Sequence, residues 1–184
     1  MNFGKIIKTF TSKKGNDVVL RYPVEADIDA MYRYINTLHA EDTFLTTLGG
    51  KPITRTEERQ FVEKVLKALR DGDAQFFLVT HKDNVIGVCD IWKEREPRQR
   101  HVGILGVSLL SEYRDEGIGG ELMKFLIQQG KDMGLRLLRL TCFANNPRAL
   151  HVYEKLGFLR VGILPKAIAY KNGYVDQVIM YLPL

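Results

Sequence analysis

The spacing of hydrophobic residues along this chain changes several times, and each change marks an element. Lys5 to Phe10 and Val18 to Tyr22 are rich in β-formers and flank Ser12-Lys13-Lys14-Gly15-Asn16, which predicts an opening hairpin closed by Pro23. Ile28, Met31, Ile35 and Leu38 then recur at helical spacing, predicting a helix over about Glu25 to His39. A polar, glycine-containing loop follows from Glu41 to Ile53. Thr54 and Glu57 have the form of a capping box, and the stripe Phe61, Val65, Leu69 predicts a second helix over about Thr56 to Leu69.

The second half alternates strands and helices. Gln75 to Thr80 and Val85 to Trp92 predict two strands joined at Lys82-Asp83-Asn84, and a charged loop from Glu94 to Arg98 leads to a strand over His101 to Leu110. Ile118, Leu122, Phe125, Leu126 and Met133 trace one face of a third helix that ends at Gly134. Leu137 to Phe143 is almost uniformly apolar, as a central strand is. Ala144-Asn145-Asn146-Pro147 breaks it, and Ala149, Val152, Tyr153 and Leu156 mark a short fourth helix capped by Gly157. Phe158 to Ile163 and Tyr174 to Leu182 are the last strands, around a turn at Lys171-Asn172-Gly173. No linker, repeat or low-complexity segment interrupts this order, so one mixed α/β domain over residues 1–184 is expected.

Composition narrows the class. With 184 residues, 45% hydrophobic and 27% charged, the chain suits one soluble domain. Its net charge of +5 fits an anionic ligand, and equally fits mere solubility; no dense basic run with interleaved aromatics marks a nucleic-acid face. Cys89 and Cys142, the two cysteines, each lie in a strand-like apolar run. They give no disulfide framework and point to a reducing compartment. His39, His81, His101 and His151 show no ligand spacing, so no metal is expected. No signal-peptide core or membrane-length apolar run is present, and a cytoplasmic protein is expected.

The candidate chemistry starts at Arg114-Asp115-Glu116-Gly117-Ile118-Gly119-Gly120, on a strand-to-helix junction. Its glycines allow close backbone approach, the following helix offers unpaired N–H groups, and Arg114 adds forked donors. Together these describe an anion site, the plain alternative being a strand–helix turn with an exposed arginine.

Three blocks in order resemble the GNAT superfamily of acyl-CoA-dependent N-acyltransferases: Leu109 to Leu122 around Arg-x-x-Gly-x-Gly, Leu140 to Ala149 with a strand followed by Asn146 and Ala149, and Ala149 to Phe158, reading A-x-x-x-Y-E-K-L-G-F. The ending Asn172 to Met180 is similar to the tail of the branch holding ribosomal-protein N-terminal acetyltransferases, a tail shared with small-amine relatives. The resemblance implies a mostly antiparallel α/β sheet of about seven strands with about four helices and a splayed central parallel pair. It implies acetyl-CoA as donor, with no metal. The backbone of Arg114, Asp115, Glu116, Gly117, Ile118, Gly119 and Gly120 would hold the pyrophosphate. Pantetheine would lie between Leu105 to Leu109 and Leu137 to Phe143, beside Asn146 and Ala149, unless Asn146 serves only as a helix cap. The Leu109 N–H would face the thioester carbonyl, and Tyr153 would protonate the leaving thiolate, its alternative being ring packing under the fourth helix.

The general base departs from the resembled branch, which carries Glu where this chain has Thr141. Glu94, His101 and Asp90 are the candidates, acting directly or through water, unless the amine arrives already neutral. The expected function is transfer of acetyl from acetyl-CoA to a primary amine, either a protein N-terminus or a small molecule, by direct attack in a ternary complex. A catalytically silent acyl-CoA-binding module is the alternative. The expected partner is an amine acceptor, without nucleic acid or membrane, and a homodimer is left open. Tyr32, Tyr34 and Phe44 are candidates for lining the acceptor site.

Overall fold

A computed structural model describes residues 3–41, 43–46 and 51–184. Residues 42 and 47–50 of the expected loop lie outside the described residues. Among the described residues there are eight strands: β1 (Ile6–Thr11), β2 (Asp17–Arg21), β3 (Ala74–His81), β4 (Asn84–Lys93), β5 (Val102–Leu109), β6 (Leu137–Phe143), β7 (Leu159–Tyr170) and β8 (Gly173–Pro183). Four α-helices accompany them: α1 (Ile28–Ala40), α2 (Arg55–Asp71), α3 (Ile118–Asp132) and α4 (Pro147–Lys155). The strands form one sheet in the order β1-β2-β3-β4-β5-β6-β8-β7, antiparallel except for β5 and β6. One strand more than the approximate seven is present.

Alternation along the inner strands sends side chains to two separate cores. Phe77 and Val79 of β3 join Leu122, Met123 and Leu126 of α3, while Phe76 and Leu78 join Met31 and Leu38 of α1 and Val62, Val65 and Leu69 of α2. The capping box of α2 forms as expected, Thr54 Oγ1 accepting from Glu57 N–H at 3.3 Å and the Glu57 carboxylate accepting from Thr54 N–H at 2.7 Å. Val65 and Leu69 of the expected α2 stripe are buried, but Phe61 is not. Val62 is fully buried and Glu58 only 4% exposed, whereas Phe61 is 38% exposed.

Strand β7 runs past the expected stop at Ile163. It continues through Pro165 and Lys166 with a register shift between Leu164 and Ile168, and Lys166 takes a positive φ of 52°. As the outermost strand of the sheet it can hold a proline, because the missing N–H faces no partner strand. No helix among the described residues is long and apolar enough to cross a membrane.

The parallel pair sets up the site. β5 and β6 pair only at Val102–Leu137, Gly103–Leu138 and Ile104–Arg139. Beyond Ile104 they separate, β5 staying on β4 as far as Leu109 and β6 staying on β8 as far as Phe143.

Candidate active site

The separation of β5 and β6 leaves backbone groups in the middle of the sheet without strand partners. Leu110 N–H donates to Ile86 C=O on the β4 side at 2.9 Å. Alternation then turns the N–H and C=O of Leu109, and of Val107 and Leu105 before it, towards the gap. Buried donors of this kind need an acceptor. An extended chain with amide groups, such as pantetheine, fits there as a strand would.

At the mouth of the gap, α3 begins with Gly117 at φ 81° and no side-chain cap. Its first recorded intrahelical bond runs from Glu121 N–H to Gly117 C=O, 3.2 Å, so the N–H groups of Ile118, Gly119 and Gly120 have no acceptor inside the helix. A Cβ at Gly119 or Gly120 would meet nothing within 4 Å. Exposed donors, a helix dipole and open space above bare glycines suit a pyrophosphate.

The side chains of this loop do other work than expected. Arg114 does not reach outward: its Nε and Nη2 donate to Leu109 C=O at 2.9 and 2.7 Å, and Nη2 also meets Glu41 Oε2 at 2.6 Å. Glu41 Oε1 in turn accepts from Ser111 N–H at 2.9 Å. The guanidinium therefore ties the end of β5 to the chain after α1. Ile118 is 1% exposed and belongs to the core, contributing only backbone to the mouth. Asp115 pairs with Arg148 of α4 at 2.7 Å, and Glu116, 2% exposed, turns back to the opening hairpin. Glu116 is thus matched away from the cradle, while Asp115 and Arg148 pair at its border.

A cavity of about 960 Å³ runs from this mouth through the gap to the face covered by α1 and α2. Tyr153, Leu109, Asn146 and Ala149 all line it. Asn146 Oδ1 caps α4 by accepting from Ala149 N–H at 3.2 Å, which leaves its amide NH₂ for the cavity. Burial, with the neighbouring Cys142 adding to it, pushes the Tyr153 phenol well above its usual pKa, so it stays protonated at any physiological pH. Burial also pushes the Cys142 thiol up to about 11 and Cys89 well above the ordinary value. Neither is a reactive thiolate.

Two of the expected base candidates lie outside the cavity. Glu94 is held in an ion pair with Arg139. His101 is exposed in the turn before β5, at the paired end of the β5–β6 ladder, with its carbonyl bound by Arg136 N–H. Asp90 is the candidate that the fold brings in. It stands in β4 opposite Gly106 of the splayed stretch, and a Cβ on Gly106 would lie 2.8 and 2.9 Å from its carboxylate oxygens. Burial raises its pKa to about 7, opposed by the Trp92 indole. Glu58, absent from the expected set, reaches the same cavity from α2, and burial raises its pKa to about 7 as well. Its signal was the α2 periodicity: it lies four residues before Val62 on the buried face.

The rest of this chamber is apolar. Met31, Ile35, Phe61, Phe76 and Trp92 wall it. Phe44, Phe143 and Tyr170 close the far end, with ring centroids 5.5–5.6 Å apart. Tyr34, fully covered, bonds Ser108 Oγ at 2.7 Å, while Tyr32 of the same helix is not part of the lining. Arg139 enters from β6 with its Nε buried and unpaired. Among the described residues no group of three His, Cys, Asp or Glu side chains could hold a metal.

The acetyltransferase (GNAT) family model matches residues 31–158. The chain belongs to the GNAT family. It is therefore an N-acetyltransferase that takes its acyl group from acetyl-CoA. The chain is 30% identical over 169 residues to the L-amino acid N-acetyltransferase AaaT of Escherichia coli (strain K12), spanning 90% of this chain and 97% of that protein. It is also 30% identical over 81 residues to the ribosomal protein bS18-alanine N-acetyltransferase of the same organism, spanning 44% of this chain and 55% of that protein. Among solved structures, a GNAT acetyltransferase from Streptococcus pneumoniae shares the fold with a TM-score of 0.81 at 24% identity, covering 91% of this chain and 99% of that one. The microcin C7 self-immunity acetyltransferase MccE, solved with acetyl-CoA and AMP, aligns with a TM-score of 0.73 at 19% identity over 91% of this chain and 92% of its own.

This packing makes Gly106 a sensitive position. Gly106→Ala places a methyl group against the Asp90 carboxylate, and overpacking of this kind costs about 1–3 kcal/mol. The expected result is a melting temperature lower by a few degrees with a larger loss of turnover, read by thermal melts and CoA release on the same preparation.

Proposed function

We propose that this GNAT enzyme acetylates the α-amine of a free amino acid with an apolar side chain. The observation that carries the reading is the single cavity in which the gap between β5 and β6, the Asp90 and Glu58 carboxylates and the Arg139 guanidinium meet inside apolar walls. An amino acid offers three matching groups: an ammonium for the two carboxylates, a carboxylate for the Arg139 Nε left unpaired beside the Nη2 that holds Glu94, and a side chain for Phe61, Phe76 and their neighbours. The name of AaaT, which spans nearly the whole chain, supports the same acceptor class.

Acetyl-CoA supplies the acyl group as an activated thioester. Its pyrophosphate is held by the N–H groups of Ile118 to Gly120, and its pantetheine lies along the backbone of Leu105 to Leu109 beside Asn146 and Ala149. Asp90, with its pKa near 7, takes a proton from the acceptor ammonium, and Glu58 anchors that ammonium. The freed amine attacks the thioester carbonyl directly. The Leu109 N–H donates to the carbonyl oxygen as negative charge grows there, and Tyr153 gives its proton to the departing sulfur. The buried, protonated thiols fit a reducing cytoplasm.

A second acceptor, a protein N-terminus, is favoured by the ribosomal-protein relative, which spans 44% of this chain. The decisive assay incubates the enzyme with acetyl-CoA and a panel: free phenylalanine, methionine and aspartate, phenethylamine, phenylalanine amide, and an alanine-initiated peptide. CoA thiol release is expected to be greatest with the free apolar amino acids and lower by about tenfold or more for the amine and amide lacking the carboxylate. Arg139→Ala should erase that difference. Preference for the peptide would sink this acceptor, and CoA binding without release for any member would favour the silent-module alternative.

A further inference from the structure

The acetyl-CoA loop of this chain is unusual in its own charges. Between Arg114 and Gly117 it carries Asp115 and Glu116, two acids beside a cradle for a diphosphate, while the Arg114 guanidinium is turned inward to Leu109 C=O and Glu41. Arg148 borders the cavity but is paired with Asp115, and another cationic side chain is brought near from a distant part of the sequence. The turn of the β1–β2 hairpin is fastened to Glu116 by four contacts. Ser12 Oγ–H and Asn16 Nδ2–H donate to Glu116 Oε2 at 2.7 and 2.8 Å. Lys13 N–H donates to Glu116 C=O at 2.9 Å, and Lys14 Nζ lies 3.4 Å from Oε1. Ser12 Oγ also accepts from the N–H groups of Lys14 and Asn16, so the same hydroxyl shapes the turn that it anchors. These hydrogen bonds to its charged form, Ser12 first, hold the Glu116 carboxyl below the usual carboxylate range.

This fastening brings one side chain of the turn against the start of α3. The Lys13 stem is laid across Gly117, with Cε 3.2 Å and Cδ and Cγ 3.4 Å from where a Cβ on that glycine would stand. Gly117 is the N-cap of α3, and the open space above Gly119 and Gly120 begins beside it. A side chain larger than hydrogen at Gly117 would displace the stem. The glycine therefore serves two purposes, its φ of 81° and the passage of Lys13.

We infer that Lys13 is a cofactor-binding residue that places its ammonium on the diphosphate of CoA, and that Glu116 is a positioning residue that holds the hairpin so that it can. The acid in the loop then has a reason: it does not repel the diphosphate, because its charge is consumed in recruiting a lysine from the hairpin. This inference rests on the placement of CoA in this loop under the proposed function, and the test separates the two.

The test is equilibrium binding of CoA by titration calorimetry, with turnover measured alongside. Lys13→Ala is expected to weaken CoA about tenfold, as loss of one charge-assisted contact does, while Lys13→Arg stays within about threefold of the parent. Ser12→Ala, which releases the latch and leaves the lysine in place, is expected to weaken CoA in the same direction by less. Lys5→Ala removes the same charge from the base of the hairpin and should leave binding unchanged. Dephospho-CoA, which lacks the 3′-phosphate but keeps the diphosphate, should show the same loss with Lys13→Ala. Lys13 is exposed, so its variants are expected to melt like the parent. Unchanged CoA affinity in Lys13→Ala, a loss equal to that of Lys5→Ala, or a loss seen only when the 3′-phosphate is present would each overturn the inference. If the parent enzyme itself fails to bind CoA, the placement of the donor falls instead.

Discussion

Tyr153→Phe is expected to lose about a hundredfold or more in kcat while its affinity for CoA and its melting temperature stay close to those of the parent. The change removes one hydroxyl and keeps the ring, which packs against Phe158 with centroids 6.0 Å apart. Packing alone would therefore leave activity intact. The hydroxyl lies at the cavity wall beside Cys142, and burial keeps it protonated far above neutral pH. A group so placed can give a proton to a departing thiolate and recover it from solvent between turnovers. The parent should accordingly show no falling limb in its pH–rate profile up to about pH 10, the range in which an ordinary phenol would begin to ionise. A kcat in Tyr153→Phe within about twofold of the parent would mean that water protonates the sulfur and that Tyr153 only packs.

Much of this enzyme is legible from its sequence because its elements are locally consistent. The Thr54–Glu57 box, the Asn146-Pro147 helix start and the apolar run of β6 lie within a residue or two of where periodicity and capping put them. The glycine mouth at the start of α3 is legible for a related reason: it is built by contiguous backbone, so a short motif describes it. The acceptor chamber is assembled from β4, α1, α2 and β6, and no contiguous motif can record it. Of the candidate bases, Glu94 is paired with Arg139 and His101 sits in a surface turn at the paired end of β5. The opposition of Asp90 to Gly106 appears only in the register of β4 on β5. Glu58 lies on the same face as Val65 and Leu69, three residues before Phe61, but a lone carboxylate on an otherwise apolar helix face carries no motif; the buried face is Glu58, Val62, Val65, Leu66 and Leu69. The same holds for Arg114, whose motif predicts an anion ligand but whose side chain is drawn inward by Glu41, 73 residues earlier in the chain.

Asp90→Asn separates a catalytic carboxylate from a structural one, because the two roles change stability in opposite directions. Burial penalises the charged form of the Asp90 carboxyl and pushes its pKa up to about 7 in the folded protein, from an ordinary 3.8. The folded state thus holds the proton more tightly than the unfolded chain. Stability from this group is fully present below the unfolded value and is lost as pH rises through about 7, so at pH 8 the ionised carboxylate is a net cost of a few kcal/mol. Asparagine has no charge to bury and nearly the same shape. Asp90→Asn should therefore melt roughly 5 °C higher than the parent at pH 8, with the difference vanishing towards pH 4. A structural ion-pair partner would show the reverse. In turnover the sign is opposite: the basic form is the working one, so parent kcat/KM should climb through about pH 7 and level off, and Asp90→Asn should be lower by about a hundredfold. Glu58 faces the same cavity and also titrates near 7, so it needs its own control. Glu58→Gln should raise the KM for the acceptor while leaving the rise of kcat with pH in place, since Asp90 remains to take the proton. If Asp90→Asn kept its activity and Glu58→Gln lost both kcat and the pH dependence, the base would be Glu58, delivered by α2 from across the chamber.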